Sequence, residues 1–342
     1  MTSAILKRPR GEAKSPHGRE GWQSRRLMTR VVAFIAIAAV PPLLFDDYWV
    51  FMAAQVLAFA IATMGLDVLY GRTGQMSLAH ASFMGVGAYT TYLVGSFGHG
   101  PIVQLSAVAA VSLITALVVA VPTLRLSGLR LALVTLAFGE LLTWWIRNTA
   151  DLTGGTQGVS VDPLVIGRLD SSQPLHAYLI ALVPAVVATA LAAHLGRTQL
   201  GRRMLAVRDT ELAAESVGVA VARTKITAFL ISAVYAGVAG WLYAAITGFI
   251  SPPDFDLFAS VYLFVAVVIG GAGTVIGAWL GAAYIVLVPE LFTLAGQPNL
   301  YPIVGGALLA IVALAVPDGI VGLGRGAWRR FKGVRDPQEG VR

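Results

Sequence analysis

Long, continuous apolar runs separated by short polar punctuation dominate the chain. Ten blocks are legible, at 27–45, 49–69, 78–97, 102–121, 129–146, 175–195, 226–250, 258–269, 275–288 and 301–316. Most approach the ~20 residues that a helix needs to cross a hydrocarbon core of about 30 Å. Inside such a core every backbone N–H and C=O must be paired within the protein, which permits helices or a closed barrel. Barrel strands alternate with period two, and these runs do not. The pattern predicts an all-α integral membrane protein, a polytopic bundle of about ten transmembrane helices with some broken or re-entrant. The eighth and ninth blocks are short and flank Gly270-Gly-Ala-Gly273, where a tight hairpin, a broken helix and a re-entrant element are all open. The third block begins in polar, glycine-rich sequence and is open to a partly re-entrant reading, which leaves the count open by one or two.

Composition agrees with this pattern, and charge orients it. Of 342 residues, 56% are hydrophobic and only 13% charged, where a soluble domain carries about 25% charged residues. The net charge of +7 would suit nucleic acid, but the positions of the cations give it another meaning. With the N-terminus inside, 23 of the 25 Lys and Arg residues fall in cytoplasmic segments, and only Arg147 and Arg168 fall outside. Such a bias sets orientation. It predicts both termini and the loop 196–225 in the cytoplasm, the loop 147–174 outside, and a location in the cell inner membrane. Residues 1–30 read as a disordered basic tail, 31–317 as the transmembrane domain and 318–342 as a second basic tail. A signal peptide competes for 31–40, but the basic leader is long and further spans follow at once, so a retained first helix is expected. Topology and contact with the lipid surface account for the charge, with no nucleic acid. The absence of cysteine excludes disulfides, thiolate chemistry and cysteine metal sites.

Three polar features interrupt the apolar sequence. The stretch 74–89 carries Gln75, Ser77 and His80 at membrane depth, where donors and acceptors are costly against lipid. A broken helix lining a wet translocation path is one reading; caps or staples within the bundle are the other, and His80, with no ligand partner nearby, suits the second. Glu140 lies inside the fifth block, where a carboxylate costs about 2.5–3.5 kcal/mol on insertion scales. It reads equally as a polar element of a conduit or subunit contact and as a structural hydrogen bond. Third, Gly201-Arg-Arg-Met-Leu-Ala-Val-Arg-Asp-Thr-Glu-Leu-Ala-Ala-Glu-Ser-Val-Gly218 predicts a short cytoplasmic helix over 209–218. Asp209 or Thr210 would cap it, Glu211 sits in its first turn, and Gly218 ends it. Arg202, Arg203 and Arg208 precede it. An exposed, capped helix between two spans suits docking to a cytoplasmic partner, against a plain topological loop. The small-residue stripes Gly273, Gly277, Gly281 and Ala236, Gly240, Ala244 predict helix packing within the subunit, with a subunit interface as the alternative.

No phosphate loop, H-E-x-x-H or G-x-S-x-G is present, so no catalytic residue, cofactor or metal is expected and the chain is not expected to hydrolyse ATP itself.

Residues 211–218 resemble the EAA-type coupling segment of ATP-binding-cassette importer permeases. The surrounding Gly201-Arg-Arg-Met-Leu-Ala-Val-Arg-Asp resembles the branched-chain amino acid permeases, and the M-type subunit in particular. The resemblance extends to Gly74-Gln-Met-Ser-Leu-Ala-His-Ala-Ser-Phe-Met-Gly-Val-Gly-Ala-Tyr89, Leu131-Ala-Leu-Val-Thr-Leu-Ala-Phe-Gly-Glu140, Leu152-Thr-Gly-Gly155, Gly248-Phe-Ile-Ser-Pro252 and Val268-Ile-Gly-Gly-Ala-Gly273. Gln157, Ala79 and Asp318 depart from the family's usual pattern, which bears on the choice of substrate. The resemblance implies a permease that works with a second, homologous permease, a pair of cytoplasmic ATPases and an extracytoplasmic solute-binding protein touching 147–174. It assigns Arg202, Arg203, Arg208, Asp209, Glu211, Glu215 and Gly218 to ATPase coupling, while Gln75, Ser77, His80 and Glu140 are the pathway candidates on their polarity at membrane depth. Urea, short amides and aromatic acids are alternative cargoes within the family. An ion-driven transporter using Glu140 or Asp67 leaves the cytoplasmic helix unexplained, and a structural or receptor-like membrane protein leaves the polar stretch 74–89 unexplained.

Overall fold

The computed structural model describes residues 44–123 and 128–297, with isolated positions 300, 304, 306 and 319–322. The expected tail 1–30, the first apolar block through residue 43, most of the tenth block and residues 323–342 lie outside the described residues. The described residues from 47 onward form one compact unit.

That unit is built almost wholly of helices. Helix α1 (Asp47–Leu66) continues through a π-helical turn at Asp67–Gly71, and a non-helical stretch leads to α2 (His80–Ser96). Helices α3 (Pro101–Thr123) and α4 (Leu129–Asn148) follow. The next loop holds α5 (Ala150–Thr153), a 3-10 turn at Gly155–Gln157 and the two-residue strands β1 (Val159–Ser160), β2 (Val165–Ile166) and β3 (Leu169–Asp170). Then come α6 (Pro174–Leu195), α7 (Gln199–Asp209), α8 (Glu211–Ser216) and α9 (Val221–Thr247). Strand β4 (Phe249–Ile250), a 3-10 turn at Pro252–Phe255, α10 (Leu257–Gly270) and α11 (Val275–Leu294) complete it. Five segments, Asp47–Gly71, Pro101–Val121, Pro174–Leu195, Val221–Thr247 and Val275–Leu294, are long and apolar enough to cross a membrane, and α10 is a shorter apolar helix.

Local chemistry sets these boundaries. Pro174 opens α6 at a position where its missing N–H is no loss. The side chains of Asp256 and Thr274 accept from the N–H groups of Ala259 and Gly277 and so cap α10 and α11. Helix α11 runs through Pro289 to Leu294, although the apolar block stops at 288: proline forfeits one backbone bond, and the apolar residues beyond it keep the helix going.

Helix α9 lies at the centre, against α1, α2 and α3, while α1 also packs on α6 and α11. Both small-residue stripes are spent inside the subunit. A Cβ built on Gly240 would stand 1.9 Å from the Met84 carbonyl oxygen of α2, and one on Gly281 would stand 2.0 Å from the Ala266 oxygen of α10. Backbones that close make their contacts through van der Waals packing, as the stripes predicted. Helices α10 and α11 pack against each other and are joined by a tight turn. The short eighth and ninth blocks are therefore a helical hairpin.

Candidate functional site

The segment 197–218 gathers at the end of the bundle where α1 stops and α9 begins. Thr198 accepts from the Gly201 N–H at 3.1 Å and starts α7, which buries Gly201, Met204 and Val207 along one face. Arg202 and Arg203 point outward, and Arg202 donates to the Arg197 carbonyl at 3.0 Å. The helix predicted over 209–218 is present as α8, and a second helix, α7, precedes it. The Met204–Val207 stripe draws 199–209 into a helix of its own, and Thr210 (φ −160°, ψ 115°) is extended between them. Neither Asp209 nor Thr210 caps α8 with its side chain; the Thr210 hydroxyl donates instead to the Asp209 carbonyl at 2.7 Å. Gly218 ends the segment as expected: at φ 83° its N–H donates to the Glu215 carbonyl, 2.9 Å away.

Helix α8 barely touches the bundle. It buries only Ala214, while Leu212 and Val217 are 79% and 77% exposed and Glu215 faces outward. Glu211 is different. Its carboxylate lies 2.6 Å from the Lys225 Nζ of α9, the one ion pair among the described residues. The two glutamates of this helix thus divide, Glu215 presented outward and Glu211 tethered inward.

The break between α1 and α2 meets this segment directly. Gln75 donates to the Thr73 hydroxyl at 2.9 Å and toward the Lys225 carbonyl at 3.4 Å. Ser77 is buried, with the Ala79 N–H 3.4 Å from its hydroxyl. The His80 ring sits between helices, Nε2 2.8 Å from the Ala62 carbonyl of α1 and Nδ1 3.4 Å from the Ser232 hydroxyl of α9. These polar groups are matched inside the protein, as groups at membrane depth must be. Glu140 stands apart from them. It is exposed on α4 in a stripe with Leu133, Val134, Ala137, Leu141 and Trp144, and no described residue pairs with it.

Two buried groups, Arg72 and Asp67, fell outside the sequence-based site, and they lie beside the predicted Arg208. The Arg72 guanidinium donates to the Ala192 carbonyl in the last turn of α6 at 2.9 Å, where a cation also meets the favourable end of the helix dipole. The Asp67 carboxylate accepts from the Gly273 N–H, and the Arg208 guanidinium donates to the Gly71 carbonyl. The polar Gly71-Arg-Thr-Gly74 directly after an apolar block was the available signal for Arg72. Nothing local marked the Asp67 contact. Among the described residues, no cluster of three or more His, Cys, Asp or Glu side chains could hold a metal.

At the opposite end, β1 pairs antiparallel with β4, Val159 opposite Ile250 and Ser160 opposite Phe249. The Val161 N–H donates to the Gly248 carbonyl at 2.9 Å, and the Ser171 hydroxyl to the Ala245 carbonyl at 2.7 Å. Residues 158–161, shortly after the 152–155 motif, thereby meet the 248–252 motif on one surface.

A protein-family profile described as "Branched-chain amino acid transport system / permease component" matches residues 48–313. The chain is 32% identical over 325 residues to the high-affinity branched-chain amino acid transport system permease protein LivM of Escherichia coli (strain K12), covering 86% of this chain and 75% of that protein. It is 26% identical over 284 residues to LivH, a permease protein of the same description from Salmonella typhimurium, covering 77% of this chain and 91% of the relative. It is also 30% identical over 282 residues to the autoinducer 2 import system permease protein LsrC of Enterobacter sp. (strain 638), covering 78% and 77%. No solved structure matches the chain.

Proposed function

The chain belongs to the branched-chain amino acid transport permease family, and from that premise we propose how it works: as one of two permease subunits in an ATP-binding-cassette importer for branched-chain amino acids. In this reading it spans the inner membrane about ten times with both termini inside, and a second, LivH-like permease completes the pathway. A pair of cytoplasmic ATPases docks on α7 and α8, and a solute-binding protein delivers cargo at the surface where β1 meets β4. Arg202, Arg203 and Glu215 face the ATPases; Arg208, Glu211 and Gly218 hold the segment's shape from behind, with Asp209 at its bend. Gln75, Ser77 and His80 form the polar inner wall beside the pathway, and Glu140 faces the sister permease or the wet conduit, where its charge avoids the lipid penalty.

The observation that carries this reading is α8: a helix that buries a single residue and displays Leu212, Glu215 and Val217 outward. A helix in a connecting loop has little reason to present an apolar surface unless something covers it. ATP binding would close the ATPases, move this segment and switch the permease pair between outward- and inward-facing states.

The test is uptake of radiolabelled leucine into proteoliposomes holding the full complex, with urea, phenylalanine and autoinducer 2 as competing cargoes. Uptake that requires ATP and the binding protein, and is competed by isoleucine and valine, is expected. Uptake driven by an ion gradient without ATP would overturn the coupling reading, and preference for another cargo would overturn the substrate.

A further inference from the structure

The turn joining α10 to α11 is held by a chain of contacts that begins on the coupling segment. Arg208, in the last turn of α7, donates to the Gly71 carbonyl at the end of the π-helical turn. Within that turn, the Asp67 carboxylate accepts from the N–H of Gly273. Asp67 is 3% exposed, so water does not compete for this bond, and a backbone N–H to a carboxylate is among the stronger hydrogen bonds available. The fit is close on every side. A Cβ on Gly71 would lie 2.1 Å from the Asp67 carboxylate and 2.5 Å from the Gly273 nitrogen, and one on Gly319 would lie 2.5 Å from the Gly271 nitrogen. Gly271 and Gly273 take φ of 113° and 84°, so the turn has a backbone that few other residues could follow. A π-helical turn at this point is the kind of local irregularity that gathers at functional sites.

We propose that Asp67 is a positioning residue: it ties the α10–α11 turn to the end of α1, so that a displacement of α7 and α8, passed through Arg208 to Gly71, carries the turn with it. The ATPase stroke then reaches the α10–α11 hairpin, some 200 residues along the chain from Asp67, without a covalent or local route. This rests on the reading of 199–218 as the ATPase-coupling segment.

The experiment measures ATP hydrolysed per leucine imported, in reconstituted complexes that have first been shown to retain the ATPases. Asp67→Ala should keep basal ATP turnover while leucine uptake and substrate-stimulated hydrolysis fall about tenfold, and Arg208→Ala should raise the ATP hydrolysed per leucine by a similar factor. The double variant should fall no further than the worse single, because both cut the same chain. Asp67→Asn keeps an oxygen facing Gly273 and should rescue most of the uptake. Additive losses, near-normal uptake in the alanine variants, or failure of Asp67→Asn to assemble would each overturn the inference. Should Asp67→Ala fail to assemble, Arg208→Ala and Arg208→Lys decide: uncoupling in the first and rescue in the second support it, and equal behaviour overturns it. Loss of ATPase retention in both Arg208 variants would overturn it too, by making Arg208 a docking residue. Normal retention with no uncoupling sinks this inference alone and leaves the coupling segment standing.

Discussion

Truncating Leu212 should weaken ATPase docking without disturbing the permease. Its side chain is 79% exposed and makes no part of the core. Full burial of a leucine stabilises by about 1.5–3 kcal/mol. Covering most of it in a cleft and then removing all but the Cβ therefore forfeits roughly 1.5–2 kcal/mol, or about 10- to 30-fold in dissociation constant. The neighbouring Glu211 supplies the contrast. Its pair with Lys225 is short at 2.6 Å, but the glutamate is 44% exposed, so Glu211→Gln should cost on the order of 1 kcal/mol or less, as local stability and not as docking affinity. The assay immobilises the solubilised permease pair and titrates purified ATPase, with thermal unfolding measured in parallel. Leu212→Ala should raise the dissociation constant at unchanged unfolding temperature. Leu212→Ala combined with Val217→Ala should weaken binding further. If the double variant binds within about threefold of the parent protein, a difference below 1 kcal/mol, α8 is not the docking face and the assignment fails.

Two further outcomes follow from orientation and packing. Cysteines placed singly in this cysteine-free chain at Thr156 and Gln199, both exposed, should react with an impermeant thiol reagent from opposite sides of the membrane; reaction from the same side would refute the proposed topology. Gly240→Val should lower the unfolding temperature and the yield, because the obstructing Met84 oxygen 1.9 Å from the new Cβ is backbone and cannot turn aside; the cost belongs at or above the upper end of the ~1–3 kcal/mol range for overpacking. Gly100→Ala, with nothing within 4 Å, is the matched control and should leave both unchanged.

The parts of the fold legible in the sequence were those written locally. Apolar runs of membrane-crossing length foretold α1, α3, α6 and α9 to within a few residues, and small residues three or four apart foretold the close packing of α2 on α9 and of α10 on α11. The short helix predicted over 209–218 is there as α8, but the helix before it, α7, was not foreseen. The buried Met204 and Val207 that hold α7 against the bundle are set among arginines, which hid their spacing. Of the site, Gly218 and Glu215 were readable because a helix stop and an outward charge are local facts. The inward turn of Glu211 was not, because Lys225 belongs to the next helix. Nor was the Asp67 contact, because its donor is a backbone N–H at Gly273, and backbone donors leave no mark in a sequence.

The pairing of β1 with β4 has a consequence for how a permease of this design can change its clients. The strands are held by main-chain bonds, and the register places Ser160 beside Phe249 with both side chains exposed. In the proposed importer, substitution at these positions would alter what the surface offers a delivery protein and leave the scaffold beneath it in place. Gly158 has no such latitude, since a Cβ there would sit 2.5 Å from the Ile250 oxygen. A descendant recruiting a new carrier would thus redraw the outward letters of this clasp and keep its glycine, acquiring a different docking partner with the helices untouched.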